Sequence, residues 1–182
     1  MSYQSEIDYA VEIRQEMERV NQSLSMFNKN SVIARWNRGE SEQVDSLFVV
    51  MYEKAREVNE VTGGAFDVTV APLVNAWGFG FKNEKLPSDE KIDSLLQYVG
   101  MDKVQLDGER LVKQVEGVQM DASSIAKGLG VDLVAEFFDR KGVQNYMIEI
   151  GGEIRVKGES NKQRPWQWNW HPSVLPQPVS LT

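Results

Sequence analysis

The sequence predicts an α+β domain. Apolar residues recur with helical spacing in three stretches before residue 100, and the period then shortens to that of strands separated by Gly-containing turns. A chain of 182 residues that is 41% hydrophobic buries one real core and is too short for two large ones. We take residues 1–160 as that domain and residues 161–182 as a tail of different character.

Each element has its own warrant. Ile7, Ala10, Val11, Met17, Val20 and Leu24 follow a helical period, which predicts an amphipathic helix over 3–24. Residues 25–43 are polar, with Asn28, Asn30 and Gly39 as breakers, and are expected to be irregular. Val44, Leu47, Phe48, Met51, Ala55 and Val58 mark a second helix ending near Thr62, with Gly63 or Gly64 as a left-handed cap. Pro87–Ser88–Asp89 starts a third, short helix with Ile92, Leu95 and Leu96 as its buried face. Val104–Leu106 and Leu111–Lys113 flank Asp107–Gly108, a hairpin signal. Val118–Met120 is expected to be a strand, 125–141 a long helix, and Tyr146–Ile150 and Glu153–Lys157 two strands. Gly151–Gly152 between them suggests a bulge or a close approach by backbone or ligand.

Composition excludes several function classes. The net charge of -7 argues against a dedicated nucleic-acid binder. There is no cysteine, hence no disulfide, thiolate nucleophile or Cys-ligated zinc, and one histidine, His171, excludes a multi-His metal site. No apolar run approaches the roughly 20 residues of a membrane span. The N-terminal stretch carries no apolar signal core, so no cleaved export signal is expected in the sequence as written.

The most informative stretch is Met120–Gly130, MDASSIAKGLG. It places one Asp, two hydroxyls, one Lys and Gly residues at a strand-to-helix junction. A helix start offers unpaired N–H groups and partial positive charge, which suit phosphate. Asp121 and Ser124 add oxygens able to hold a metal ion, and Lys127 adds a cation one turn into the helix. A nucleotide diphosphate with a divalent cation fits this set. A plain capped helix fits it too, with Ser123 or Ser124 as N-cap and Gly128 packed tightly against a strand.

Other segments are individually ambiguous. In Thr62–Thr69, TGGAFDVT, the Gly pair lets backbone approach a ligand, or simply caps a helix ahead of a buried Phe66. Val70–Phe81 sets Trp77, Phe79 and Phe81 among small residues, able to clasp a flat ring or to fill a core. Ser25–Asn28 is a polar-aromatic turn with the same two readings. The tail holds three of five Trp and four of six Pro with no sustained period, and is expected to be aberrant or disordered, with a proline-rich recognition tail as the alternative.

Taken in order, S-M-F-N, T-G-G-A-F-D-V-T-V-A-P-L-V-N-A-W-G-F-G, D-A-S-S-I-A-K-G and I-E-I-G-G-E-I resemble the FAD:protein FMN transferases, the ApbE family, long labelled thiamine-biosynthesis lipoproteins. The resemblance covers about residues 5–166. It implies a layered ApbE-like (T-fold-like) domain of helices on antiparallel sheet. It also implies FAD as substrate, a Mg²⁺ ion, and transfer of FMN to a Thr of a partner protein, often a membrane redox subunit, with release of AMP. The family acts outside the cytoplasmic membrane, which implies a periplasmic or cell-envelope location and a lipid anchor whose cysteine this sequence does not contain.

The resemblance also carries residues. Asp121 matches an acid that contacts FAD, Ser124 a position whose oxygen helps ligate Mg²⁺, and Lys127 a charged position beside the flavin nucleotide. Ala65, Phe66 and Asp67 match the loop lining the FAD pocket, and Met26 lies in the corresponding first loop. The family pattern starts earlier, with a Met-Gly-Thr-like strand, and runs further, through a His-Ile-Asp-Pro-like stretch and an Asp and a Thr of the Mg²⁺ site. This sequence is therefore expected to be incomplete at both ends and inactive alone. Three functions follow for testing: flavin transferase, FAD-binding module without catalysis, and partner-binding scaffold.

Overall fold

The computed structural model describes residues 1–78 and 86–167. A two-residue strand β1 (Ser2–Tyr3) leads into helix α1 (Ala10–Leu24). Helices α2 (Val32–Asn37), α3 (Ser46–Val61), α4 (Ala71–Ala76) and α5 (Asp89–Leu96) follow. Strands β2 (Val104–Asp107) and β3 (Arg110–Lys113) precede the long helix α6 (Ala126–Arg140) and strands β4 (Tyr146–Ile150) and β5 (Glu153–Lys157). One antiparallel sheet has the order β1-β4-β5, and the other is the β2–β3 hairpin.

Two apolar clusters organise these elements. The first gathers Leu24, Ile33, Trp36, Phe48, Met51, Leu111, Val118 and Met120, so it joins α1, α2, α3, the hairpin and the segment ahead of α6. The second lies between α6 and β4 around Tyr9, Val134, Phe138, Tyr146 and Ile148. Gly130 permits the close packing of α6 on α1: a Cβ there would sit 3.3 Å from Met17 Cε and 3.7 Å from Ile150 Cδ1. Trp36 is 1% exposed, and its indole N–H donates to Leu111 O at 2.8 Å, which ties α2 to β3.

The α+β class, α3, the β2–β3 hairpin, α6 and the strands β4 and β5 follow the sequence expectation. Asp45 caps α3 by accepting from Phe48 N, and Gly64 N donates to Asn59 O at 2.8 Å beyond its end. Gly63 and Gly64 have φ of 60° and 85°, the left-handed backbone that Gly adopts without a Cβ clash. Gly151 (φ 58°) and Gly152 (φ 97°) form the two-residue turn joining Ile150 to paired Glu153, a tight hairpin turn rather than a bulge.

Five expectations are corrected. The first helix begins at Ala10, not residue 3, because Asp8 Oδ1 accepts from Ala10 N while Tyr3 pairs with Tyr146; Ile7 and Val11 are exposed. Residues 25–43 contain α2, whose Ser31 cap accepts from Ala34 N at 3.1 Å. Helix α5 starts where expected, with Ser88 as cap, but buries no residue, and Leu96 is exposed. The β2–β3 turn residues are Gly108 and Glu109, since Asp107 pairs with Arg110. Val118–Met120 is extended but joins no sheet among the described residues: its ladder contact is an isolated parallel bridge, Val70 to Gln119. Phe79, Phe81 and residues 168–182 lie outside the described residues. Within the tail, Ser160 N donates to Arg164 O, and the Trp166 indole N–H donates to Lys157 O at 3.0 Å.

Candidate functional site

The segment before α6 is held at three points. Asn37, the last residue of α2, meets Met120 with both ends of its amide: Nδ2 donates to Met120 O and Oδ1 accepts from Met120 N, each at 2.8 Å. Asp121 N donates to Val68 O at 2.7 Å. The Asp121 carboxylate then accepts from Ser123 N at 2.7 Å, an Asx turn. A further turn, Ile125 N to Ala122 O, leads into α6. The capping position is Ile125, so neither Ser123 nor Ser124 caps the helix, and both are exposed. A Cβ added at Gly128 would meet no atom within 4 Å, so this glycine is not packed on a strand.

The loop of Ala65, Phe66 and Asp67 is organised by its own neighbours. Thr62 Oγ1 accepts from Phe66 N, and Asn59 Nδ2 donates to Phe66 O at 2.7 Å. Asp67 Oδ1 accepts from Thr69 N and Thr69 Oγ1, and that hydroxyl accepts from Gly100 N. Phe66 packs against the first core while Ala65 is exposed. Through the Val68–Asp121 bond this loop and the Asp121 turn become neighbours, as a shared site requires.

Two cavities flank the Asp121 segment. One of about 660 Å³ is lined by Met26, Lys29, Asn37, Arg38, Asn75 and Gln119, among others. Its size falls within the range of small-molecule sites. Lys29, Arg38 and Glu40 all lie on its wall, and the Arg38 guanidinium, hydrogen-bonded to Glu40, holds that carboxyl below its usual range, so this pair adds no net charge to the wall. The other cavity, about 410 Å³, takes in Ser124, Ile125, Gly128 and Asp132. Of the expected site residues, Met26 lines the first cavity and Ser124 the second, while Ala65, Phe66, Asp67, Asp121 and Lys127 line neither. Lys127 turns to the β4–β5 hairpin, its ammonium donating to Gly151 O at 3.1 Å with the Glu153 carboxylate 3.9 Å away.

Comparison with known proteins places this geometry. The sequence model of the ApbE family matches residues 1–170. The chain belongs to the ApbE family. It is 42% identical over 166 residues to the FAD:protein FMN transferase of Haemophilus influenzae, covering 86% of this chain and 48% of that protein. It is 38% identical over 161 residues to that of Vibrio cholerae, again covering 86% and 48%. The solved flavin transferase ApbE from Vibrio cholerae superposes with a TM-score of 0.84 at 36% identity, over 91% of this chain and 55% of that one. The Pseudomonas stutzeri flavinyl transferase ApbE, in its apo form, gives 0.80 at 34% identity, over 85% and 51%. The chain spans about half the length of the curated relatives it matches. The ApbE fold, with helices and antiparallel sheet, is therefore the fold of this chain.

The Mg²⁺ that the ApbE resemblance implies does not find a complete site here. Among the described residues no three Asp, Glu or His side chains come together to hold a metal, and one Asp121 carboxylate oxygen is engaged by Ser123 N. Ser124 alone is an exposed hydroxyl donor, whereas Mg²⁺ demands near-octahedral oxygen coordination. Sequence reasoning missed Asn37, Asn59, Thr69, Asn75 and Gln119. Ser31-x-x-Ala34, a cap pattern, was the available signal for α2 and hence for Asn37. Asp67-x-Thr69, an Asx-turn pattern, was the signal for Thr69, whereas Asn75 and Gln119 carry no local signal, because they meet across 44 residues.

Proposed function

We propose that this chain carries FAD-binding surface of an ApbE flavin transferase, and that the complete protein transfers FMN from FAD to a Thr hydroxyl of a partner redox protein. In that reaction a Thr Oγ–P bond forms, the pyrophosphate P–O bond breaks and AMP leaves. The observation that carries the reading is the junction of the two family loops: Ala65–Asp67 and Asp121–Lys127 meet through Val68 O, beside the Met26 cavity. Asp121 is held there to contact the nucleotide. Lys29 offsets pyrophosphate charge, and Met26 lines the pocket. Phosphoryl transfer depends mainly on positioning and charge neutralisation, which these groups provide. Ser124 would give Mg²⁺ one oxygen, and bound Mg²⁺ would neutralise phosphate charge. The acceptor is read as a membrane redox subunit and the location as the cell envelope, both from the family resemblance. Among the described residues no helix is long and apolar enough to cross a membrane.

Titrating the chain with FAD and following flavin fluorescence tests the reading. Quenching by FAD with no competition from NAD or ATP is expected; tighter binding of NAD would overturn it. A second reading is a FAD-binding module without catalysis. AMP formation with Mg²⁺ and an acceptor protein separates the two, and a fluorescent acceptor band on a denaturing gel would refute the second.

A further inference from the structure

We infer that Asn37 is a positioning residue for Asp121. This rests on the proposed FAD reading for its effect on ligand. Asn37 closes a ring of two 2.8 Å hydrogen bonds with Met120, donating to its carbonyl and accepting from its N–H. These are the two bonds that a neighbouring strand would make with an extended residue. No strand occupies that side among the described residues, and the only ladder contact of the segment is the single Val70–Gln119 bridge. Met120 itself is fully buried, so its backbone groups have no recourse to water. The next peptide is Asp121, whose N–H is fixed to Val68 O. Asn37 is itself anchored: its carbonyl accepts from the Lys113 ammonium at 3.1 Å, and the preceding Trp36 is buried and bonded to Leu111 O. The amide therefore transmits the position of α2 to the backbone that carries Asp121. Its role differs from that of a group touching the ligand, because its polar atoms are spent on Met120.

A double-mutant cycle on the full chain tests this. FAD affinity, by flavin fluorescence, is measured for wild type, Asn37→Ala, Asp121→Asn and the double variant. If Asn37 acts through Asp121, Asn37→Ala weakens FAD about tenfold in the wild-type background and less than about twofold in the Asp121→Asn background. Equal losses in both backgrounds overturn the inference, since a merely structural or directly ligand-touching Asn37 would cost the same in each. Amide hydrogen exchange supplies a readout that needs no ligand: Asn37→Ala is expected to speed exchange at Met120 and Asp121 while residues 62–67 stay protected. Unchanged exchange at Met120 and Asp121 overturns the inference. If wild type binds no FAD, the FAD reading fails and the exchange result alone decides. Should Asn37→Ala not fold, Asn37→Asp retains the acceptor for Met120 N and sets an oxygen against Met120 O, and the same outcomes apply.

Discussion

The two loops of the candidate site are built in opposite ways. The 62–69 loop is tied mainly to itself: its side-chain bonds span 7 residues from Asn59 to Phe66, 4 from Thr62 to Phe66 and 2 from Asp67 to Thr69, with one distant bond, Gly100 N to Thr69 Oγ1. The Asp121 segment is tied across 83 residues to Asn37 and, through Val68, to the other loop. A locally closed loop keeps its shape when distant packing loosens. A loop held by a remote side chain inherits every disturbance of the element that carries that side chain. The role we propose for Asp121 thus depends on α2, through the bonds of Asn37 to Met120.

The strongest way to break this contrast is Trp36→Ala. Removing a fully buried indole from a core costs about 3–5 kcal/mol, and Leu111 O loses its donor as well. Urea unfolding should show that loss. Below the transition, exchange should rise at Met120 and Asp121 before it rises at 62–67. Simultaneous loss of protection in both loops would remove the distinction.

The same contrast explains what the sequence disclosed. Helices α3 and α6 and strands β4 and β5 are written in local periods, so they were legible, whereas a Gly pair such as Gly151–Gly152 fits a bulge as well as the hairpin turn it forms. Helix α2 has six residues and buries only Ile33 and Trp36, too few to set up a helical period. The extended 118–121 segment was legible as extended, because Val118 and Met120 are buried alternately, but its partner is an amide side chain that no strand pattern announces. At α1 the period was over-read: Ile7 and Val11 fit the spacing yet remain exposed, because the chain spends residues 2–3 on pairing with β4. The Asp121–Lys127 motif was legible as residues. Its geometry was not, since an Asx turn and a helix cap use the same residue types.

Asn59→Ala tests the local loop. Phe66 O would lose its 2.7 Å donor, at a cost of about 1–3 kcal/mol for an unsatisfied partly buried group. Thermal melting should report that cost, and exchange should rise within 62–67 while Met120 stays protected. Asp121→Asn is a finer cut. Asn accepts from Ser123 N as well as Asp does, so the melting temperature should barely move. FAD affinity should fall at least about tenfold, which is ~1.4 kcal/mol. Wild-type affinity in this variant would leave Asp121 as a turn residue only.

The smallest expected effect lies at the anchor of Asn37. The Lys113 ammonium is 4.4 Å from the centroid of the Trp36 ring and donates to Asn37 O at 3.1 Å. Burial pushes its pKa below the usual lysine value of 10.5. The folded state therefore binds this proton less tightly than the unfolded chain does. That penalty is fully present below the folded pKa and is relieved as pH rises from there towards 10.5, so Lys113 makes stability climb with pH in this window. Tyr52 runs the other way: burial raises its phenol pKa above 10.0, so the stability it lends is lost as pH rises past that value. Comparing wild type with Lys113→Met cancels the tyrosine contribution. The wild type should gain on the variant as pH approaches 10.5, by less than the roughly 1 kcal/mol of an ordinary hydrogen bond. Urea midpoints of the two proteins across that window measure it, and a gap that stays constant with pH would show that the ammonium over Trp36 is not desolvated by the fold.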